Sequence, residues 1–449
     1  MTPDQLQQAV RDGQIDTVVV CMTDLQGRLI GKRLTARFFV DTGFAPQMFC
    51  DYLLATDMEM TLVDGFEASS WSRGYGDLAL VPDMNTLRAV PWLPGTAIVL
   101  ADVTDQHGKP LAHSPRQILK HQLDRLAALG VEADMAAEYE FYLFNMSFEE
   151  ARAVGYRALK PASWYPQDGH VFQSSKDEPV IRRIRNLMDQ ADIPIEGSKA
   201  EWSAGQQEIN LQYCEALEMA DRLALYKNGC KEIAQQNNQA VSFMAKLDDS
   251  LAGSSFHIHL SLRDRVNGRA VFLDEQRPLA MSRAFEHFLA GALEHAPAAT
   301  YFWAPYINSY RRFRAGTFAP TRIAWSVDNR TTSFRVLGSG RSLRFECRVP
   351  GADVNPYLAF AALLAAGLAG LEAQLSLPPA FNGDCYQSGV PSIPVSLPAA
   401  LAQLESSTVF GTAFGVDVIR HYLHCGRWEW AQSEAGVTDW ERIRYFERV

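Results

Sequence analysis

The segment Ala137-Glu-Tyr-Glu-Phe-Tyr-Leu-Phe144 decides the fold class, because polar and apolar side chains alternate along its first half. Successive side chains of a β-strand point to opposite faces of the sheet, so Glu138 and Glu140 share one face. The segment therefore predicts a strand that presents two neighbouring carboxylates on one side and apolar side chains on the other.

Three further segments, 208–213, 256–262 and 343–349, alternate in the same way. A single segment of this kind is typical of a half-exposed strand with a solvated polar face. Four of them, including His-x-His and Arg-x-Glu-x-Arg, instead favour strands that line one shared cavity. The polar positions are Glu208, Asn210 and Gln212, then His257, His259 and Ser261, then Arg344, Glu346 and Arg348.

If the strands converge, their polar side chains form a metal-ligand set. Carboxylates with one imidazole suit hard divalent ions, Mg²⁺ or Mn²⁺, better than zinc or copper. Five or six carboxylates cannot all stay ionised in one pocket without cations, so two or three metals are implied. The set contains Glu138, Glu140, Glu208, Glu346 and His257, and Glu201 is close enough in sequence to join it.

An arginine-rich stretch runs from Arg311 to Arg348 and carries nine arginines, no lysine and two acids, which gives it a net charge of +7. The planar guanidinium group binds carboxylates and phosphates through two hydrogen bonds at once. Together with metals and His259, these arginines indicate phosphoryl transfer. No Walker loop, dinucleotide-binding glycine motif or kinase signature is present.

The composition excludes several classes of protein. The chain of 449 residues has a net charge of −10, and its pI near 5.5 argues against a nucleic-acid or membrane binder. Seven cysteines without a CxxC motif suggest neither a disulfide framework nor a zinc cluster. The N-terminus lacks a signal-peptide core, and the apolar run Tyr357–Leu371 is too short to span a bilayer. We expect a soluble cytoplasmic protein.

The order of strand and helix signals predicts an α+β fold. The first hundred residues are β-rich, with a hairpin around the Gln26-Gly27 turn, and a domain boundary is expected within 104–112. A helix should begin at Ser114-Pro115 and end at Gly130. Further helices are predicted at about 217–238, 280–295 and 356–374.

At this point the chain resembles the glutamine synthetase family over nearly all its length. Six ordered blocks with consistent spacing carry the resemblance. They are AAEYEFYLF (136–144), EGSKAEWSAGQQEIN (196–210), GSSFHIHLSL (253–262), NSYRRFRAGTFAP (308–320), DNRTTSFRV (328–336) and RFECRVPGADVNPYL (344–358).

The resemblance implies an N-terminal β-grasp domain, residues 1–105, and a catalytic domain, residues 110–449. The catalytic domain would be a curved antiparallel sheet that forms a funnel, with helices outside. The family also implies a dodecamer of two hexameric rings with active sites between neighbouring subunits.

The resemblance further implies a role for each site residue. One metal would take Glu140, Glu201 and Glu208, and the other Glu138, His257 and Glu346. Glutamate would lie beside Arg312, Arg348, Gly253, Glu140 and His257. Arg330 would contact the transferring phosphoryl group, and ATP would lie against Arg335, Arg344, His259, Ser261, Glu196 and Tyr213. The implied reaction forms γ-glutamyl phosphate from glutamate and ATP, and a nitrogen nucleophile then displaces phosphate.

The chain departs from glutamine synthetases at several positions. Phe318 stands where the family has a flap glutamate that binds ammonium and removes its proton. Lys199-Ala-Glu201 replaces His-His-Glu, and Gly253-Ser-Ser-Phe-His257 replaces Gly-Ser-Gly-Met-His. The N-terminal acid that assists catalysis is assigned to Asp51, with Asp57 as the second candidate.

These departures resemble the glutamine-synthetase-like ligases that join glutamate to organic amines. We predict such a ligase, with two alternatives: a glutamine synthetase that uses ammonia, and a catalytically idle relative. The amine stays open among polyamines, ethanolamine, alkylamines and anilines. Trp71, Trp164 and Tyr165 are candidate pocket aromatics, with core or interface positions as the alternative.

Overall fold

The computed structural model describes all 449 residues. Its first sheet has the order β2-β1-β6-β4-β3, with β5 paired to β6, and β1 runs parallel to β6 at its centre. The predicted hairpin at Gln26-Gly27 is confirmed, since β1 and β2 pair antiparallel on either side of it. The strands are β1 (Thr17–Thr23), β2 (Leu29–Thr35), β3 (Gln47–Cys50), β4 (Asp77–Pro82), β5 (Arg88–Ala89) and β6 (Thr96–Thr104).

The second sheet has nine strands in the order β13-β14-β15-β12-β7-β9-β8, with β10 and β11 paired to β7. Every pair is antiparallel except β13 with β14. The four segments with alternating polar positions are β7, β9, β12 and β15, which are consecutive neighbours in this sheet. The strands are β7 (Val131–Phe144), β8 (Ile195–Ala200), β9 (Gln206–Leu211), β10 (Cys214–Glu215), β11 (Ala240–Ser242), β12 (Phe256–Asp264), β13 (Trp325–Val327), β14 (Phe334–Leu337) and β15 (Arg344–Cys347).

Helices account for most of the remaining regular structure, so the predicted α+β class is confirmed. The four predicted helices correspond to α3, α7, α8 and α10, with ends that differ by a few residues. The helices are α1 (Pro3–Arg11), α2 (Ala36–Asp41), α3 (Pro115–Ala128), α4 (Phe148–Ala153), α5 (Val171–Ser174), α6 (Glu178–Gln190), α7 (Ala216–Gln236), α8 (Arg283–Glu294), α9 (Ala296–Trp303), α10 (Pro356–Ala373), α11 (Leu397–Glu405), α12 (Thr408–Phe414), α13 (Val416–Glu434) and α14 (Asp439–Tyr445).

Helix α10 is the centre of the apolar core. It is long and apolar enough by composition to cross a membrane, but 83% of it is buried inside the protein. Asn355 caps its N-terminus by accepting a hydrogen bond from the Tyr357 backbone N–H at 3.1 Å. An apolar helix buried on all sides is the expected form of a core helix in a large protein.

Arg116 connects the first sheet to the helices behind the second. Its guanidinium group lies 2.8 Å from Asp83 and 2.6 Å from Asp102 in the N-terminal part, and 2.9 Å from Asp221 on α7. Tyr357 of α10 donates a hydrogen bond to the same Asp221 at 2.6 Å. One buried cation therefore pairs with three carboxylates from separate parts of the chain, and Lys120 is a second partner of Asp102 at 2.7 Å. The domain ranges 1–105 and 110–449 stay a prediction.

Replacing Arg116 with Met should destabilise the protein strongly. Removal of the shared cation leaves a buried carboxylate unpaired, which typically costs about 3–5 kcal/mol. Thermal unfolding followed by circular dichroism measures the effect. Arg420→Met is the matched control, because its partners Glu67 and Asp417 are solvent-exposed and exposed pairs contribute little. Equal melting temperatures for the two variants would contradict the assignment.

Candidate active site

Strand pairing brings the predicted ligands onto one face of the second sheet. Glu140 on β7 lies opposite Glu208 on β9, and Glu138 on β7 lies opposite His257 on β12. The neighbouring strand β15 adds Glu346, which is fully buried. Alternation along each strand and antiparallel register together place these side chains in one cavity.

The first carboxylate cluster consists of Glu140, Glu201 and Glu208, whose ligand oxygens lie within 4.8 Å of one another. Burial and the neighbouring carboxylates, Glu138 foremost, raise the pKa of Glu208 to about 9. Burial and Glu201 likewise raise the pKa of Glu140. These three carboxylates repel one another, so the cluster favours a cation.

Glu140 accepts hydrogen bonds from two residues, Ser255 and Gln206, that were not among the predicted site residues. Ser255 donates to Glu140 from its backbone N–H at 2.8 Å and from its hydroxyl, and Gln206 donates from its amide at 3.2 Å. Lys199 contacts Glu201 through its ammonium group. Ser255 and Lys199 could have been suspected as site residues because they depart from the family sequence. No feature of the sequence pointed to Gln206.

The second carboxylate cluster consists of Glu138, His259 and Glu346, again within 4.8 Å. His257, the histidine predicted as a ligand here, also reaches it, since its Nδ1 lies 3.0 Å from Glu138 Oε2 and 3.4 Å from Glu346 Oε1. Both histidines of the His-x-His motif therefore face the same pair of carboxylates. Family resemblance implies only a nucleotide contact for His259.

The hydrogen bonds of His259 define its tautomer. Arg344 donates from Nε to His259 Nδ1 at 3.2 Å, so Nδ1 is an acceptor and the proton is on Nε2. The Nε2–H group then donates to Glu138 Oε1 at 3.0 Å. Burial alone would raise the pKa of Glu138, but hydrogen bonds from His257 and His259 hold it well below its usual range.

The donor chemistry of both clusters fits divalent cations. The first offers only carboxylate oxygens, and the second offers two carboxylates with imidazole nitrogens. Hard cations such as Mg²⁺ and Mn²⁺ prefer oxygen ligands, and Mn²⁺ also accepts imidazole. The residues that would hold the ions are Glu140, Glu201 and Glu208 in the first cluster, and Glu138, Glu346 and His257 in the second, because the hydrogen bonds of His259 leave it no free nitrogen.

The predicted substrate arginines surround Glu346 and the chain after β15. Arg335 and Arg348 both form ion pairs with Glu346. Arg312 is buried and donates to the backbone oxygens of Val349 at 2.8 Å and Arg348 at 3.0 Å. Burial lowers the pKa of Arg312 to about 10. Arg330 is exposed and forms no hydrogen bond or ion pair with the chain.

Gly253 permits the close packing of Arg312. A Cβ atom at Gly253 would lie 2.6 Å from Arg312 Cγ and 2.9 Å from the backbone oxygen of Ala245. No larger residue fits without displacing the arginine or the backbone. The structure therefore places Gly253 next to a predicted glutamate-binding side chain.

A cavity of about 550 Å³ opens beside the second cluster and brings together five of the six predicted nucleotide residues. Arg335 is not part of its lining. Arg341 and Arg263 do line it, although the sequence analysis gave neither a role there. The five residues are Glu196, Tyr213, His259, Ser261 and Arg344.

Phe318 lies on the segment between α9 and β13, with 60% of its surface exposed. Its backbone is in the left-handed region at φ 59°, and its carbonyl oxygen accepts from Arg348 at 3.4 Å. Asp51 accepts hydrogen bonds only from Ser69 and from the Gly76 backbone at 3.1 Å. The hydrogen bonds of Asp51 thus stay within the N-terminal part of the chain.

Asp57, the second candidate for the N-terminal acid, is engaged elsewhere. It accepts a hydrogen bond from Trp428 on α13 at 3.1 Å and one from the Thr61 backbone at 2.8 Å. Asp51 and Asp57 are thus both held by hydrogen bonds within the chain, and the choice of Asp51 as the assisting acid stays a prediction.

Comparison with known proteins agrees with this arrangement. The chain is 47% identical to the gamma-glutamylethanolamide synthetase of Streptomyces coelicolor, over 99% of this chain and 96% of that protein. It is 35% identical to the glutamate–isopropylamine ligase of a Pseudomonas species, over 97% and 96% of the two chains.

A solved structure of the complex of GmaS with ADP superposes with a TM-score of 0.86, at 28% identity and with both chains fully covered. Residues 112–445 match the family described as glutamine synthetase, catalytic domain. This range contains both carboxylate clusters and every arginine assigned to substrate. The chain therefore belongs to the glutamine synthetase family.

Proposed function

We propose that this protein is an ATP-dependent ligase that joins the γ-carboxylate of L-glutamate to an organic amine and releases ADP and phosphate. The observation that carries the proposal is Phe318, an exposed phenyl group where an ammonia-using relative would need a carboxylate. Support comes from two relatives that cover nearly the whole chain, one named for an ethanolamide product and one for the ligation of isopropylamine, and from the GmaS structure with ADP.

The first step of the proposed reaction is attack of the glutamate γ-carboxylate on the γ-phosphate of ATP. Arg312 and Arg348 bind the carboxylates of glutamate, and the cavity beside the second cluster holds the nucleotide. Divalent ions, Mg²⁺ or Mn²⁺, supply charge neutralisation between the phosphate oxygens when bound. Arg330 has no partner within the chain, so its guanidinium group is available for the transferring phosphoryl group.

The second step is attack of the amine on γ-glutamyl phosphate, with loss of phosphate. The amine must lose a proton to become the nucleophile. We assign Asp51 as the carboxylate that accepts this proton. Within the predicted dodecamer, we place Asp51 in the active site of a neighbouring subunit. Phe318 cannot remove a proton, and it provides an apolar wall for the substituent on the nitrogen. This wall favours a neutral alkyl or aryl substituent, and the names of the two relatives favour ethanolamine and short alkylamines among the candidates.

The direct test is phosphate release with ATP and glutamate against a panel of ammonia, ethanolamine, isopropylamine, aniline and putrescine. We expect an organic amine to give the highest kcat/KM. Ammonia as the best substrate would overturn the proposal, and absence of turnover with every amine would favour an idle relative.

Phe318→Glu should shift the preference toward ammonia. The new carboxylate can bind ammonium and accept its proton, while it removes the apolar wall. We expect the ratio of kcat/KM for ammonia over ethanolamine to rise by about tenfold or more. Phe318→Leu, which stays apolar, is the matched control and should keep the original preference. An unchanged ratio in Phe318→Glu would show that the side chain does not select the nucleophile.

Arg330→Ala should abolish turnover and leave nucleotide binding mostly intact. Loss of one preorganised group that stabilises transition-state charge typically lowers kcat by about 10²–10³-fold. Phosphate release measures kcat, and calorimetric titration with ADP measures binding. Arg311→Ala, at another exposed arginine of the same stretch, should behave like the unmodified protein. A kcat for Arg330→Ala within a few-fold of the unmodified protein would disprove the role.

Stability without divalent ions should fall as the pH rises from about 6 to 9. Glu208 has a raised pKa in the folded protein, about 9, so up to that pH the fold keeps a proton that the unfolded chain has released, and stability falls with rising pH over this range. Added Mg²⁺ or Mn²⁺ should restore the melting temperature, more at pH 9 than at pH 6. Glu208→Gln should flatten both dependences. An identical pH profile in Glu208→Gln would contradict the assignment of the first cluster.

A further inference from the structure

Lys176 places its ammonium group inside a set of three aromatic rings that we call the aromatic box: Trp164, Tyr165 and Phe172. Its Nζ lies 3.6 Å from the ring centroid of Trp164, 5.8 Å from that of Tyr165 and 6.0 Å from that of Phe172. A cation within about 6 Å of an aromatic face is attracted by the ring quadrupole, most strongly by tryptophan. The aromatic box is therefore a cation-binding arrangement.

The polar contacts of Lys176 show that the aromatic rings are its main partners. No carboxylate pairs with its ammonium group, and its one hydrogen bond goes to Gln173 Oε1 at 3.0 Å. Gln173 is buried, and its amide nitrogen contacts the Tyr165 hydroxyl. The buried side-chain amide of Gln173 therefore lies at the inner end of the aromatic box. Its mouth is open, since Trp164 and Phe172 are 75% and 69% exposed.

The segment that carries the box is anchored beside the first carboxylate cluster. The backbone N–H of Asp168 donates to the backbone oxygen of Glu201 at 3.0 Å. Ser163, next to Trp164, accepts from the Gly205 backbone at 2.6 Å. Asp177, next to Lys176, accepts from Gln207 at 2.8 Å. Both ends of the box are therefore attached to the chain that presents Glu201 and Glu208.

The aromatic box has the properties that a binding site for a protonated organic amine needs. Alkylamines, like the lysine side chain with its pKa of about 10.4, are cations at neutral pH. A capture site for them must accept a positive charge and an apolar substituent, which aromatic faces do. Ammonium carries no apolar group to bury, so it gains less from the same site.

We infer that the aromatic box captures the organic ammonium substrate and that Lys176 occupies it as an internal competitor, which the substrate displaces. The inference rests on the proposed function and adds to it a specificity-determining site and the protonation state in which the amine is bound. Lys176 raises the concentration of amine that is needed to fill the box, and the box favours substituted amines over ammonia.

Kinetics with two variants test the competition. Lys176→Met removes the internal cation and should lower the KM for ethanolamine or isopropylamine by about two- to fivefold, the range that an exposed cation–π contact supports. Trp164→Ala should raise it by a similar factor. The KM values for glutamate and ATP should not change in either variant. Lys109→Met, at an exposed lysine within the predicted domain boundary, is the control.

A binding measurement that needs no turnover separates this inference from the proposed function. Tetramethylammonium chloride cannot react, and broadening of its methyl resonance reports binding to the protein, with tert-butanol as the neutral comparison. Broadening should increase in Lys176→Met and decrease in Trp164→Ala and in Phe172→Ala, while tert-butanol shows neither change. Equal broadening in all variants, or a Lys176→Met variant with an unchanged amine KM, would overturn the inference even if the ligase activity is found.

Discussion

Repulsion among buried carboxylates is the constraint on which the rest of the site depends. Five glutamates, four on strands β7, β9 and β15 and one on the loop between β8 and β9, project onto one face of the second sheet. The chain offsets part of this charge with the two histidines, with ion pairs to Glu346 and with N–H and hydroxyl donors to Glu140. The offset is incomplete at Glu208, whose pKa is raised to about 9. The two carboxylate clusters therefore favour bound cations, at the place where the proposed reaction would hold the phosphate oxygens.

Strand periodicity made much of this site predictable. A polar side chain at every second position fixes which residues share a face, so the ligand set could be named before any pairing was known. Cross-strand register could not be read in this way. It sets His259 opposite Glu346, and the His259 ring also lies 3.0 Å from Glu138, so His259 contacts a carboxylate as well as lining the cavity proposed for the nucleotide. The domain ranges and the dodecamer still rest on family resemblance alone.

Contacts made by loops could not be predicted from the sequence, because the path of a loop follows no periodic pattern of residues. The ring faces around Lys176 come together because the chain between β7 and β8 folds back on itself, and no periodicity encodes that path. Trp164 and Tyr165 were recognised as candidate pocket aromatics, with core or interface positions as the alternative. The structure shows Trp164 mostly exposed and in contact with a cation, a combination that neither hydropathy nor spacing could indicate. Arg341 was missed for the same reason.

The residues around the N-cap of helix α10 connect the N-terminal hairpin to the segment that carries Phe318. Asn355 donates to the Asp24 backbone oxygen at 3.0 Å, and a Cβ at Gly27 would lie 3.0 Å from Asn355 Cα. Two residues earlier, Asp353 accepts from Ser309 at 2.6 Å, at the start of the segment that carries Phe318. If N-terminal parts were exchanged between relatives, the incoming part would need glycine at the position of Gly27. A larger residue there should displace Asn355, and through Asp353 and Ser309 it should also disturb the segment that carries Phe318.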